Sequence, residues 1–196
     1  MSDPLDKLII ISGPSGAGKS TVVRELLKVS PVPLKLSVSA TTRARRRGEE
    51  DGVDYHFLSH EEFRRRRERG EFLECKEVYG GGEWYGTLRS EVTSGHATGK
   101  WVLLEIDVCG ALTVLEQVPR AVTIFIDTGS MIELEKRLRK RGTETSESLA
   151  RRLSVAAREM KYRHKYQYHV INDSVPRAVA ELCGILQRIG ERPNAG

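Results

Sequence analysis

A glycine-rich run near the start of the chain carries the residue types best suited to bind a phosphate. After a strand predicted over 8–12 come nine residues: Gly13, Pro14, Ser15, Gly16, Ala17, Gly18, Lys19, Ser20 and Thr21. The pattern G-x-x-x-x-G-K-S between a strand and a helix is typical of a phosphate-binding loop, whose N–H groups face the anion. Lys19 would reach the β- and γ-phosphates of a nucleoside triphosphate, and the Ser20 hydroxyl would bind Mg²⁺. A glycine-rich turn before a buried helix is the alternative, and the motif alone leaves open what receives the phosphate.

A second candidate phosphate site follows the next predicted strand, at 34–39. Residues 39–49 are Ser-Ala-Thr-Thr-Arg-Ala-Arg-Arg-Arg-Gly-Glu, and Tyr55 comes soon after them. Because an arginine guanidinium binds two phosphate oxygens at once, this run favours a site for an anionic phosphate acceptor. A solvent-exposed basic loop is the alternative interpretation.

Strands and helices alternate around these residues. Further strands are predicted over 101–106, 121–126 and 168–171, and helices over 19–29, 108–115, 130–141, from 146 onwards and over 174–189. This alternation predicts an α/β fold in which helices flank a parallel sheet. Because ligands of such folds bind at the carboxyl ends of the strands, the phosphate loop should lie at that edge.

Residues 37–94 depart from the alternation. Short strands are predicted over 54–58 and 72–79, helices over 59–69 and 89–94, and a loop over 40–54. The sequence therefore predicts three parts that meet near the phosphate loop: a core of 1–36, 95–126 and 165–196, a small α/β insertion of 37–94, and an arginine-rich helical lid of 127–164.

Composition limits the classes of function. The 196 residues carry 32 Lys and Arg against 27 Asp and Glu, and the net charge of +5 suits nucleotides and nucleic acids alike. No apolar run approaches the roughly 20 residues of a membrane span, and the polar N-terminus is unlike a signal peptide. The three cysteines are far apart in the sequence, which indicates reduced thiols. The sequence has no H-E-x-x-H motif, so we expect no zinc site of that type. We therefore expect a cytoplasmic protein, a monomer or small homo-oligomer, with no nucleic-acid or membrane partner.

Seven short motifs in order give the chain a resemblance to the guanylate kinase family. They are G-P-S-G-A-G-K-S, S-V-S-A-T-T-R-x-x-R-x-G-E, D-Y-x-F, E-F-L-E, Y-G-T, L-E-I-D-V-x-G-A and R-L-x-x-R-G-T-E, and they span about residues 8–173. Each motif alone is weak, but seven in order with natural spacing argue against chance similarity. The resemblance implies a P-loop kinase that transfers phosphate from ATP to GMP with Mg²⁺, giving ADP and GDP.

The resemblance also implies roles for individual residues. The phosphate of GMP would be held by Arg43, Arg46, Tyr55 and Tyr85, and guanine would be recognised by Ser39, Glu74, Thr87 and Asp107. Glu105 would lie near Mg²⁺ and Lys19, while Arg137 and Asn172 would border the adenine of ATP. The catalytic charges would be those of Lys19, Arg46, Arg137, Arg141 and Arg152, with the last three coming from the lid.

The chemistry of guanine supports the implied role of Glu74. Guanine presents an N1–H and an N2–H₂ group on one edge, and a carboxylate accepts from both, whereas adenine has an unprotonated N1 there. The residue pattern alone favours an exposed strand residue for Glu74, and the family resemblance reverses that interpretation. Arg137 and Arg141 are four residues apart and share one helix face, for which a solvated face is the alternative.

Competing functions differ in which of these features they need. Another P-loop small-molecule kinase would not need Glu74 with Ser39, and an inactive guanylate-kinase-like binding module would typically lack the complete Gly18-Lys19-Ser20. A nucleic-acid-binding protein is suggested only by the isoelectric point of about 9.2. The chain departs from the family pattern twice: residues 79–85 form a longer turn than usual, and Cys109 replaces a glutamine, which we expect to be tolerated.

Overall fold

The computed structural model describes residues 7–77, 82–140 and 146–191. Its elements, in chain order, are β1 (Leu8–Ser12), α1 (Lys19–Val29), β2 (Leu34–Leu36), β3 (Ala40–Thr41), β4 (His56–Phe57), α2 (His60–Glu68), β5 (Phe72–Glu77), β6 (Trp84–Leu88), α3 (Arg89–Ala97), β7 (Trp101–Glu105), α4 (Val108–Gln117), β8 (Val122–Asp127), α5 (Met131–Lys140), α6 (Ser146–Met160), β9 (Tyr168–Ile171) and α7 (Val175–Gly190). The fold is α/β, as the sequence predicts. In the described part of the chain, no helix combines the length and apolarity needed to cross a bilayer.

The central sheet has five parallel strands in the order β2-β7-β1-β8-β9. Side chains of β1 alternate between its two faces: Ile9 and Ile11 pack against α1 and α7, while Leu8 and Ile10 pack towards α3 and α4. All four are at most 1% exposed, and burying each one stabilises the fold by about 1.5–3 kcal/mol. Because β1 is the middle strand, the loop that follows it lies at the centre of the carboxyl edge.

A second sheet of four short strands, in the order β4-β3-β6-β5, falls within residues 37–94. Strand β3 runs parallel to β4 and antiparallel to β6, which pairs antiparallel with β5. Helix α2 covers this sheet, and Phe63 stacks on Phe72 with ring centroids 4.4 Å apart. With Ala40 and Leu88 these rings form a small core separate from the core of the central sheet.

The segment predicted as an arginine-rich lid contains α5 and α6, which share a core of Leu134, Leu138, Leu149 and Ala156. Leu138 also packs on the phosphate loop, because a Cβ on Gly16 would lie 2.8 Å from its side chain. The predicted site residue Arg141 lies outside the described residues, as do residues 79–81 of the long turn at 79–85.

The sequence prediction was wrong about two strands. Strand β3 lies in the segment predicted as a loop, and β6 lies where no strand was predicted, in a segment that contains Gly86. Gly86 is required there, because a Cβ would lie 2.7 Å from the carbonyl oxygen of Glu74. The strand predicted over 54–58 shrinks to His56–Phe57, and that over 34–39 ends at Leu36. Such short strands form through distant pairing partners and leave little periodic signal of their own.

Candidate active site

The phosphate loop, residues 13–18, depends on glycine at two points. Gly13 has a φ of 141°, and a Cβ on it would lie 1.9 Å from the carbonyl oxygen of Ile126 in β8. Gly18 has a φ of 82°, and a Cβ there would lie 2.6 Å from Nδ2 of Asn172. Larger residues are therefore excluded, and the loop lies close to the sheet edge at the N-terminus of α1. That position favours an anion, because the helix dipole and unbonded N–H groups point to it.

Gly13→Ala is expected to lower the free energy of unfolding by about 3 kcal/mol or more, since it adds backbone strain to an overlap with Ile126. The matched control is Gly99→Ala, because Gly99 also has a positive φ, of 73°, but has open space around it. That control should lose only about 1 kcal/mol. Urea unfolding measures both values, and equal losses would contradict the packing argument.

Lys19 and Ser20 begin α1 and face the loop. The Lys19 ammonium donates to the carbonyl oxygens of Gly13 at 2.6 Å and Pro14 at 3.1 Å. The Ser20 hydroxyl donates to Oε1 of Glu105 at 2.5 Å. A hydroxyl and a carboxylate suit Mg²⁺, which is usually held by one or two protein oxygens together with substrate phosphates. Within the three described ranges, no cluster of three or more His, Cys, Asp or Glu side chains offers a different metal site.

Asn172 ties the lid to the phosphate loop. It is 2% exposed, and its Nδ2 donates to the carbonyl oxygen of Ala17 at 2.7 Å. Arg137 of α5 donates to the backbone carbonyl oxygen of Asn172 at 2.8 Å and to Oε1 of Glu133 at 3.1 Å. The structure thus brings together both residues predicted to border the donor base. Arg152 lies half-buried on α6, and Thr21 is exposed on α1.

Arg43 contacts three other side chains in the insertion, those of Glu49, Tyr85 and Tyr55. Its guanidinium donates to both carboxylate oxygens of Glu49, at 2.7 and 3.1 Å, and its Nε donates to the Tyr85 hydroxyl at 3.2 Å. The guanidinium lies 5.4 Å from the ring centroid of Tyr55. The hydrogen bond to Glu49 raises the pKa of Arg43 and lowers the pKa of Glu49. Three predicted phosphate ligands therefore lie together, while the side chain of Arg46 is exposed.

Glu49 is a site residue that the sequence reasoning missed. Its carboxylate also accepts the backbone N–H of Arg46 at 2.8 Å, so one side chain contacts both Arg43 and Arg46. In this structure Glu49 fills the guanidinium fork that a phosphate would use. The available signal was an acid that ends an otherwise basic motif.

Glu74 of β5 is a buried carboxylate, 9% exposed. Its Oε1 accepts from the Thr87 hydroxyl at 2.8 Å, and its Oε2 faces α4, where a Cβ on Gly110 would lie 3.0 Å away. Burial raises the pKa of Glu74 to about 7; the Thr87 hydrogen bond opposes this rise and the negative charge of Asp107 adds to it. A buried carboxylate is an acceptor that suits a ligand offering N–H groups.

Asp107 caps the N-terminus of α4 beside this carboxylate. Its Oδ1 accepts from the backbone N–H of Gly110 at 2.8 Å, and its Oδ2 forms an ion pair with Lys76 of β5. Ser39 is half-buried just before β3, where its carbonyl oxygen accepts the His56 N–H at 2.9 Å. The structure thus groups Glu74, Thr87 and Asp107, three of the four residues predicted to recognise the base. It adds Lys76, to which the sequence analysis gave no role.

Tyr55 connects the two halves of the site. Burial is the largest cause of the raised pKa of its hydroxyl; the positive charge of Arg43 opposes this rise and the negative charge of Glu105 adds to it. Because Glu105 is bonded to Ser20 beside the phosphate loop, its influence on Tyr55 places the residues around Arg43 near that loop. Two anion sites that lie near each other suit a reaction between two phosphate compounds.

Known proteins resemble this chain over nearly its full length. The family model described as guanylate kinase matches residues 5–189. A guanylate kinase of Rhodopirellula baltica is 60% identical over 181 residues, which cover 92% of this chain and 87% of that protein. A guanylate kinase of Symbiobacterium thermophilum is 48% identical over 183 residues, covering 93% and 85%. The crystal structure of a guanylate kinase from Anaplasma phagocytophilum, 33% identical, matches 94% of this chain and 86% of that one with a TM-score of 0.75.

Proposed function

Because the chain belongs to the guanylate kinase family, we propose that it transfers the γ-phosphate of ATP to GMP and releases ADP and GDP. The observation that carries the proposal is that one fold combines a complete phosphate loop, an arginine fork and a buried carboxylate. The loop suits a triphosphate donor, the fork suits the phosphate of the acceptor, and the carboxylate suits the guanine edge.

The donor half of the proposed site binds ATP and Mg²⁺. The triphosphate is held by the loop and the start of α1: Gly13, Pro14, Ser15, Gly16, Ala17, Gly18, Lys19, Ser20 and Thr21. Arg137 and Asn172 border the adenine, and their hydrogen bonds to each other and to the loop support this placement. Ser20 and Glu105 would hold the Mg²⁺ ion, which when bound neutralises charge on the phosphates of ATP.

The acceptor half binds GMP. Its phosphate is bound by Arg43, Arg46, Tyr55 and Tyr85, and the bidentate pair of Arg43 with Glu49 supports this role because a phosphate presents oxygens in a similar geometry. Guanine is recognised by Ser39, Glu74, Thr87 and Asp107. A carboxylate facing adenine would be desolvated and unpaired, and such a mismatch can reject the wrong base by about 10⁴-fold.

Phosphate transfer in this site needs no protein base. The acceptor is a phosphate with a second pKa near 6, so it is mostly dianionic at neutral pH. The work of the protein is to hold two polyanions in line and to stabilise charge that spreads over the transferring group. Lys19, at the start of α1 beside the loop, would stabilise this charge. Arg46, together with Arg137, Arg141 and Arg152 of the lid, would add positive charge on closure, which also keeps water from the γ-phosphate.

In this proposal, two parts of the chain move relative to a third. The insertion of 37–94 and the lid of 127–164 close over a core of 1–36, 95–126 and 165–196, and the separate small cores of the insertion and lid support such a division. The proposed enzyme acts in the cytoplasm as a monomer or small homo-oligomer, and its partners are ATP and GMP rather than nucleic acid or membrane.

The test of the proposal is a coupled ADP-release assay with GMP, AMP, CMP and UMP as acceptors. We expect kcat/KM for GMP to exceed that for each of the others by at least about 10²-fold. Strong turnover with AMP and none with GMP would overturn the acceptor assignment. Tight GMP binding without any turnover would instead indicate a binding module.

A further inference from the structure

Lys76 is a charged residue of the base pocket with no role in the reaction described so far. It lies two residues after Glu74 in β5, so the two side chains project from the same face of the strand. Its ammonium group pairs with Asp107 at the start of α4, and the side chains of the two partners are 34% and 35% exposed. Two carboxylates and one ammonium therefore line one pocket between β5 and α4.

Three further groups face this cluster. Thr87 of β6 donates a hydrogen bond to Glu74, the thiol of Cys109 in α4 lies nearby, and Glu159 of α6 is close enough for its charge to act on Lys76. On Glu74 itself, Lys76 favours the ionised form and Asp107 disfavours it. Lys76 thus supplies positive charge beside the carboxylates of Glu74, Asp107 and Glu159.

The charge on Glu74 determines which purine edge fits it. An ionised carboxylate has only acceptors and pairs with the N1–H and N2–H₂ of guanine. A protonated carboxyl has one O–H donor and one C=O acceptor, which match the N1 acceptor and N6–H₂ donor of adenine. Loss of charge at Glu74 would therefore weaken guanine binding without weakening adenine binding.

We propose that Lys76 is a specificity-determining residue, which keeps Glu74 in its carboxylate form beside Asp107 and so favours guanine over adenine. This inference rests on the proposed transfer of phosphate to GMP. Without Lys76, two carboxylates would share the pocket without a cation between them, and Glu74 would stay protonated over a wider pH range. Because burial already raises the pKa of Glu74 to about 7, a change in its protonation would be seen near neutral pH.

The test is Lys76→Met, with kcat/KM measured for GMP and AMP from pH 6 to pH 9 and compared with the unmodified enzyme at each pH. Loss of one nearby positive charge should move the acid limb of the GMP profile up by about one pH unit. GMP use should therefore fall about tenfold at pH 6 but less than about twofold at pH 9, with no fall in AMP use. The comparison at equal pH cancels the titration of the GMP phosphate itself.

Two further variants sharpen the result. Lys76→Arg should keep the GMP profile of the unmodified enzyme, because it keeps the charge. Lys28→Met should change nothing, since Lys28 also forms an ion pair, with Glu25 at 2.8 Å, but lies on the exposed face of α1. An unchanged Lys76→Met profile, an equal loss at pH 6 and pH 9, or a parallel loss with AMP would overturn the inference. An unmodified enzyme that does not phosphorylate GMP would overturn the proposed function instead.

Discussion

Lys19→Ala is expected to lower kcat for phosphate transfer by about 10³-fold or more. The lysine ammonium lies 2.6 Å from the Gly13 carbonyl oxygen and 3.1 Å from that of Pro14, so it is already positioned over the loop before the donor binds. Charge that develops on the transferring group is stabilised best by a donor that need not reorient. The KM for GMP should change little, because the acceptor cluster around Arg43 lies on the insertion. Steady-state kinetics with each substrate varied in turn measures these effects.

The matched control is Lys28→Ala in the last turn of the same helix. Lys28 is exposed and its ion pair with Glu25 is local, so kcat should stay within about twofold of the unmodified enzyme. A Lys19→Ala enzyme that retained more than about a tenth of kcat would contradict the role of Lys19 in the transfer step.

Several cations of the described site are bonded to groups of the chain itself. Lys19 binds loop carbonyl oxygens, Arg43 binds Glu49 and Lys76 binds Asp107. Each such contact holds a flexible side chain in place, which reduces the entropy lost when a substrate binds. It also means that a substrate phosphate must replace Glu49 at Arg43. At Arg43, charge neutralisation therefore passes from Glu49 to the substrate phosphate.

The phosphate loop could be predicted from the sequence because all of its parts are contiguous. Strand, loop and helix lie within residues 8–29, and the glycines that the fold requires at Gly13 and Gly18 are part of the motif itself. The alternating pattern of long apolar strands likewise predicted the central sheet. Local signals suffice where the chain builds a site from neighbours in sequence.

The base pocket could not be derived in the same way. Glu74, Thr87 and Asp107 meet only because β5 pairs with β6 and packs against α4. From its neighbours in sequence, Glu74 is typical of an exposed strand residue, and only the family resemblance suggested its role. Lys76 and Glu49 were missed because their partners are set by tertiary contacts, which no periodic pattern records. Residue types show what a group can do, but only the fold shows what it faces.

Glu74→Gln is expected to lower kcat/KM for GMP by about 10³-fold while leaving kcat/KM for AMP unchanged or higher. The Thr87 hydroxyl, 2.8 Å from Oε1, would keep the glutamine oxygen in that place and turn the amide nitrogen towards Gly110 and the base. That nitrogen is a donor, so it would face the N–H groups of guanine, whereas adenine offers it an acceptor. Parallel assays with GMP and AMP measure the ratio directly.

Glu77→Gln is the matched control, because it makes the same chemical change at the exposed end of the same strand and should leave the ratio unchanged. A Glu74→Gln enzyme that kept the ratio of the unmodified enzyme would contradict guanine recognition by this carboxylate. The double variant with Lys76→Met separates the two roles further. If Lys76 acts through the charge on Glu74, its removal should cause no additional loss with GMP at pH 6 once the titrating carboxyl is gone. An additional loss of about tenfold there would mean that Lys76 contacts the base itself.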